Sequence, residues 1–317
     1  MSTSGDYPLV RHDSQIVIGR EADHGVEANP DTVLGKIVDS GDMPDPEVDW
    51  QEERTISARE RQLSGKEPGQ NTYDGGSLTV LPVDETPFEF LLGEQLGDTN
   101  ADQIRVASKP LPDTFTVEAA YYGHGTDDDF VRTFVGNAID TGTIQVDSES
   151  RLSVDMDFLA QSVSPGTAPT AVADAPATGD VFMFYDNDSF FSLNGTNYAR
   201  VTDFEWELSN NLDPRYYIQP NNAEDPYETH YGNAGHALTA TVVPVDDSLF
   251  QEVIGRDDSG NASIAFETPG NKRLEFQFEN VGTSSAPYSF PDEGSAEVTV
   301  NMTPDVGYVV FDPDTTV

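Results

Sequence analysis

The stretch Arg151-Leu-Ser-Val-Asp-Met-Asp-Phe158 places Leu152, Val154, Met156 and Phe158 at every second position, with Ser153, Asp155 and Asp157 between them. Successive side chains of a strand point to opposite faces, so this pattern predicts a strand with one buried and one wet face, as in antiparallel sheets. The same alternation recurs in Ser77-Leu-Thr-Val-Leu-Pro-Val83, Thr114-Phe-Thr-Val-Glu-Ala-Ala-Tyr-Tyr122, Phe204-Glu-Trp-Glu-Leu208, Leu274-Glu-Phe-Gln-Phe278 and Ala296-Glu-Val-Thr-Val-Asn-Met302. Composition agrees, since Val (29) and Thr (27) outnumber Leu (17), and β-branched residues suit a pleated surface. The expected fold is mainly β.

Helical signals are few. Asp246 or Asp247 can cap a helix over residues 246–255 that Gly255 ends. A weaker one is Glu89-Phe-Leu-Leu-Gly-Glu-Gln-Leu96, a short amphipathic turn expected to stop at Gly97. Residues 19–50 lack periodicity and are rich in Asp, Gly and Pro, which predicts an extended arm with little core of its own. Residues 164–179 hold three prolines, five alanines and no aromatic, the composition of a linker or surface loop. The chain is therefore divided into an arm (1–49), a first β half (50–163), that linker (164–179) and a second β half (180–317) carrying the helix near 246–255.

The charge balance is extreme: 16 Lys+Arg against 57 Asp+Glu, a formal net charge of −41. That surplus excludes the basic footprint of a duplex-gripping protein and disfavours anionic membrane surfaces. Disorder is the other reading of such a charge, but Leu, Ile, Val and Phe make up 73 of the 317 residues, above the roughly 20% below which a packed core is doubtful. A folded protein with carboxylates in place of surface lysines, suited to molar salt, is the expectation. At about 1 M salt the Debye length is only about 3 Å, so self-repulsion is screened. The amino-terminal residues show no secretion-signal pattern, and no apolar run is long enough to span a membrane.

Searches for chemistry return little. With no cysteine there are no disulfides, thiolate zinc sites or Cys nucleophiles. His12, His24, His124, His230 and His236 form no helical His pair. The acidic runs Asp127-Asp128-Asp129 and Asp186-Asn-Asp188 miss the calcium-loop pattern, as Phe190 occupies a ligand position. Nucleophile elbows, phosphate loops and dinucleotide fingerprints are absent. No catalytic residue, cofactor or metal ligand is assigned.

Taken in order, several segments resemble the tail tube proteins of long-tailed, non-contractile viruses. They are Ile18-Gly-Arg-Glu-Ala-Asp-His-Gly25, Tyr73-Asp-Gly-Gly-Ser-Leu-Thr-Val-Leu-Pro-Val83, Phe90-Leu-Leu-Gly-Glu-Gln-Leu-Gly97, Arg200-Val-Thr-Asp-Phe-Glu-Trp-Glu-Leu-Ser-Asn-Asn-Leu212 and the stretch from 235 to 255. The resemblance covers about residues 18–312, and its weight lies in the order of the motifs. It implies an antiparallel β-sandwich or open barrel with one or two short flanking helices. It further implies that six copies close into a ring, that rings stack into a tube with other tail proteins at its ends, and that viral DNA passes through without specific binding or any membrane. Such a subunit belongs to the virion tail and is assembled in the host cytoplasm; the acidity suggests a halophilic archaeal host. Residues 19–49 and 62–76 are expected to govern ring stacking, with Arg54, Arg59, Arg61, Lys66 and Tyr73 as candidate inter-subunit contacts. The alternative is a receptor- or carbohydrate-binding β-sandwich presenting Tyr121-Tyr122, Tyr216-Tyr217, Tyr227 and Tyr231.

Overall fold

The structure, a computed structural model, describes residues 14–39, 41–53, 65–97, 103–108, 113–122, 129–147, 150–166, 168–172, 177–183, 191–198, 201–217, 224–243, 260–270, 272–289 and 297–313. The alternating segments form strands, and all the strand pairings are antiparallel. A first sheet runs Lys36–Asp39, Gly76–Leu81, Ser153–Leu159, the second half of Phe130–Asp147, Val201–Ser209, Gly235–Val242 and Glu297–Thr303. A second sheet runs Thr196–Tyr198, Phe191–Leu193, Gly260–Glu267, Arg273–Ser285, Val306–Asp312, Ile104–Ser108 and Gly93–Gly97.

These two layers pack face to face. Phe204 and Trp206 from the first meet Phe266, Phe276 and Phe278 from the second, with Trp206 edge-on to Phe278 at 4.9 Å between ring centroids. Trp206 is 1% exposed and Phe204 fully buried. Aromatic pairs in such geometry contribute about 0.5–1.5 kcal/mol beyond area burial. The architecture is thus the β-sandwich expected from the sequence.

Two strands belong to more than one layer. In Arg273–Ser285, residues up to Val281 pair within the second sheet, and residues 282–285 pair with Glu297–Thr303 of the first. Phe130–Asp147, 18 residues long, begins in a flanking sheet between Phe115–Tyr121 and Ser162–Gly166, then turns into the first sheet. The turn sits at Gly136, whose φ of +70° is left-handed and costs a residue with a Cβ. Its N–H donates to Glu21 Oε1 at 2.8 Å. Glu21, 6% exposed, also accepts from Gly25 N, Thr114 Oγ1 and Thr116 Oγ1. Four donors on one carboxylate satisfy a charge that burial would otherwise make expensive.

The expected segments take the following form. Within residues 1–49, Ser14–Arg20 is a strand paired with Phe115–Tyr121, and Val17 and Ile18 are 1% and 0% exposed. Its apolar run, Ile16-Val-Ile18, is too short to show a period. The helix is Thr86–Leu92, not 89–96, and closes at Gly93 (φ +95°), because the residues after it pair as strand with Ile104–Ser108. It buries Phe88, Phe90, Leu91 and Leu92, with Phe88 on Phe276 of the second sheet, Phe90 on Phe115 of the flanking sheet and Leu91 over Gly142 of the first. The linker begins inside the strand Ser162–Gly166, and Thr170 donates from its N–H and hydroxyl to buried Glu118, both at 2.7 Å. The two β halves build one sandwich, with Val201–Ser209 paired directly with Phe130–Asp147. The helix expected over residues 246–255 lies outside the described residues.

Gly307 stands where a Cβ would lie 2.3 Å from Trp206 Cζ2. Gly307→Ala is expected to lower unfolding free energy by about 2 kcal/mol through overpacking, measured by denaturant titration in molar salt.

Candidate functional site

The outer face of the first sheet is built in register, strand beside strand. Thr79, Asp155, Thr143 and Glu207 form one row; Ser77, Asp157, Thr141 and Ser209 the next. A third row holds Ser153, Gln145, Glu205, Thr239 and Asn301, and a fourth Asp147, Asp203, Thr241 and Thr299. Their sequence neighbours, Val154, Met156, Ile144, Phe204, Trp206 and Val300, point the other way into the core. Across these four rows stand hydroxyls, amides and carboxylates; at their border Lys36 pairs with Leu81, and Arg151 lines a pocket with Gln145, Asp147, Ser153, Asp203 and Glu205.

Short bonds hold the side chains on this face. Thr141 Oγ1 donates to Asp157 Oδ2 at 2.8 Å, and Gln145 Nε2 to Asp155 Oδ2 at 2.5 Å. The Thr241 and Thr299 hydroxyls lie 3.1 Å apart, and Asn301 Nδ2 donates to Ser285 Oγ at 2.9 Å. Asp203 faces Asp147 directly across the ladder. Burial, and then the Asp147 charge, push the Asp203 carboxyl above its ordinary value.

A different surface lies where two ribbons leave the sandwich. Glu47–Glu53 pairs with Gly65–Thr72, and Asp213–Arg215 with Glu228–His230; each is a separate two-stranded sheet. Asp225 Oδ1 accepts from Tyr73 Oη at 2.5 Å and Asn71 Nδ2 at 2.9 Å. Tyr216 Oη donates to the Asn71 carbonyl at 2.7 Å, and Asn71 N to the Glu224 carbonyl at 2.7 Å. Burial and the Asp225 hydrogen bond push the Tyr73 phenol well above the usual tyrosine range.

The predicted contact residues separate on this frame. Tyr73 is 6% exposed and roots a ribbon; Lys66 is exposed, its ammonium 4.7 Å from the Trp50 ring centroid. Arg54, Arg59 and Arg61 lie outside the described residues. Trp50, 49% exposed, was missed, although a lone Trp within Glu47-Val-Asp-Trp-Gln-Glu-Glu53 is the available signal. Tyr217 and Tyr227, from the alternative's aromatic patch, are 45% and 52% exposed with rings 5.5 Å apart. Tyr231 is half-buried, its phenol pushed up to about 12 by desolvation. His236 lies against Trp206, and burial pushes its imidazole below the ordinary value.

Among the described residues no group of three or more His, Asp or Glu side chains is arranged to hold a metal ion. No described helix is long and apolar enough to cross a membrane.

Two outcomes follow from these ionisations. Asp203→Asn relieves a like-charge pair, so it is expected to stabilise the fold by roughly 0.2–1 kcal/mol at neutral pH and low salt. Because the raised carboxyl favours its protonated form, this gain disappears at low pH, and it shrinks in molar salt; thermal melts across pH and salt measure it. Tyr73 has the opposite exposure to pH: its neutral phenol stabilises fully below the unfolded value of 10.0, and that contribution is lost as pH rises through the folded value. Alkaline denaturation should therefore be less steep in Tyr73→Phe.

Among curated proteins, none matches this chain. A family model described as phage tail tube protein matches residues 11–304. That span takes in the first layer, the flanking sheet, the two ribbons and the second layer except Val306–Asp312, and the chain belongs to the phage tail tube protein family, structural components of the virion tail that work as assemblies with other tail proteins.

Proposed function

We propose that this protein is the major tail tube subunit of a long-tailed virus with a non-contractile tail, infecting a halophilic archaeal host. Six copies close into a ring, rings stack into a tube, and the genome leaves through the lumen. The observation that carries this reading is the face of the first sheet built from hydroxyls, amides and carboxylates, with Lys36 and Arg151 only at its border, which in the ring turns inward. DNA carries one negative charge per about 1.7 Å of axis. A wall made mostly of Ser, Thr, Gln, Asp and Glu side chains gives those phosphates few ion pairs, while its hydroxyls and carboxylates hold water against which a duplex slides.

Ring closure also answers a problem of the fold. Sheets with unpaired borders are prone to uncontrolled pairing, and continuation of each sheet into the next copy removes those borders. The ribbon Glu47–Glu53 with Gly65–Thr72, and the Arg54, Arg59 and Arg61 segment between its strands, are placed in this reading at the boundary between rings.

The test is reversal of the lining's charge. A triple variant Asp155→Lys, Glu205→Lys, Glu207→Lys, all at outward positions, is expected to assemble tubes of normal length when supplied to virions. Those virions should release DNA at least tenfold more slowly in a dye-entry assay, with the delay easing as salt rises. Release at the original rate from intact tubes carrying all three lysines would remove this face from the lumen.

A further inference from the structure

His236 is an ionisable group on an apolar row. In the strand Gly235–Val242 every second residue faces the core, and there His236 is followed by Leu238, Ala240 and Val242, each no more than 1% exposed. Across the ladder its partner is Leu208, and Trp206 stands diagonally beside it. The imidazole lies over the indole with 6.0 Å between centroids and 27° between planes, and Trp206 Nε1 donates to His236 Nδ1 at 3.4 Å. An indole N–H only donates, and Nδ1 accepts only while it carries no proton. The bond therefore belongs to the neutral imidazole.

Trp206 is also the side chain that reaches from one layer to the other. Rooted in the first sheet, it stands edge-on to Phe276 and Phe278 of the second. Its Cζ2 meets Gly307 of the second sheet so closely that a Cβ there would lie 2.3 Å away. The second sheet fixes the indole on one side and His236 on the other.

Two forces act on a proton arriving at Nδ1. The face of Trp206 attracts a cation; burial opposes one, and among the described residues no acid is turned toward the ring. Glu205 and Glu207 of Val201–Ser209 are exposed on the wet face, and Glu275 and Glu279 lie on the face of Arg273–Ser285 opposite Phe276 and Phe278. Glu297 stands beyond Val298, the partner of Val242, at the far end of the ladder, and Asp305 is exposed. Tyr308 is on the outer side of its strand beneath Arg105. Burial is the cause that holds His236 below its ordinary value. A proton on Nδ1 sets one N–H against another and leaves a charge in an apolar setting.

We propose that His236 is a proton-operated latch on Trp206: while neutral it holds the indole against the second sheet, and on taking a proton it releases the indole and lets the layers part at this end of the sandwich. The sign follows from linkage. The unfolded histidine titrates near 6.5, above the folded one, so between the two values the unfolded chain binds more protons. Stability is lost as pH falls through 6.5 and levels off below the folded value.

Trp50 is 49% exposed and is the only other tryptophan, so Trp50→Phe leaves Trp206 as sole reporter. The experiment uses that full chain, dilute and in molar salt, which screens the surface carboxylates. Acrylamide quenching of Trp206 should rise at least threefold from pH 8 to pH 4 with a midpoint below 6.5, while far-ultraviolet circular dichroism stays native. The His236 ring proton resonance of the wild-type chain should titrate with the same midpoint. Adding His236→Asn, whose amide keeps an acceptor near the Nδ1 position and does not titrate, should hold quenching low at every pH. His236→Leu, which has no acceptor, should raise it at every pH. His24→Gln, at the other histidine that burial holds below its ordinary value, should leave the transition in place. Quenching that stays flat in the Trp50→Phe chain, or that rises equally with His236→Asn, would overturn the latch.

Discussion

The carboxylate of Glu21 holds the corner around which this subunit is organised. Its four donors come from three places: the loop that follows the first strand, the strand Phe115–Tyr121 with the residue before it, and the turn at Gly136. Without a partner for the Gly136 N–H, the long strand Phe130–Asp147 has no fixed angle between the flanking sheet and the first sheet. The direction of that strand sets the register of its neighbours on both sides, and hence which residues reach the polar face. Glu118 repeats the device, binding Thr170 across the flanking sheet. In both cases neutral N–H and O–H groups, not cations, satisfy a buried acid.

That choice follows from composition. With four lysines in the chain, ammonium groups are too scarce to pair with acids, and the described ones do other work. Lys36 donates to the Gly179 carbonyl, Lys272 to the Val83 carbonyl, and Lys66 stands over Trp50. Arginines carry ion pairs such as Arg20 with Asp113 and Glu89, while guanidinium planes cover Phe90, Tyr308 and Phe134. Exposed ion pairs contribute only about 0–1 kcal/mol and fade with salt. Hydrogen bonds to carbonyls and contacts with rings fade less, so the fold rests on interactions that concentrated electrolyte leaves in place.

Much of this was legible in the residues. Strict alternation in 151–158 and 204–208 located central strands and assigned their wet faces correctly, because one-sided burial imposes a period of two. It was least informative where both sides are covered: Ile16-Val-Ile18 carries no alternation since the loop after it covers the outer side. The helix was displaced because apolar spacing near Leu91 fits both a helix and the strand that follows, and only the left-handed turn at Gly93 decides between them. Glu21 and Asp225 were invisible for a different reason. One acid among 57 carries no mark of burial, and its donors lie up to 154 residues away in sequence. Trp50 was passed over because a single aromatic in an acidic stretch gives no period at all.

The strand Arg273–Ser285 has a mechanical meaning beyond its place in the topology. Because one unbroken backbone is hydrogen-bonded first into the outer layer and then into the layer bearing the polar face, neither can creep past the other without rupturing ladder bonds in both. In the tube proposed above, a wall of such subunits resists twisting and axial stretch as a laminate does, and pressure on its lining is carried outward by covalent chain as well as by side-chain packing.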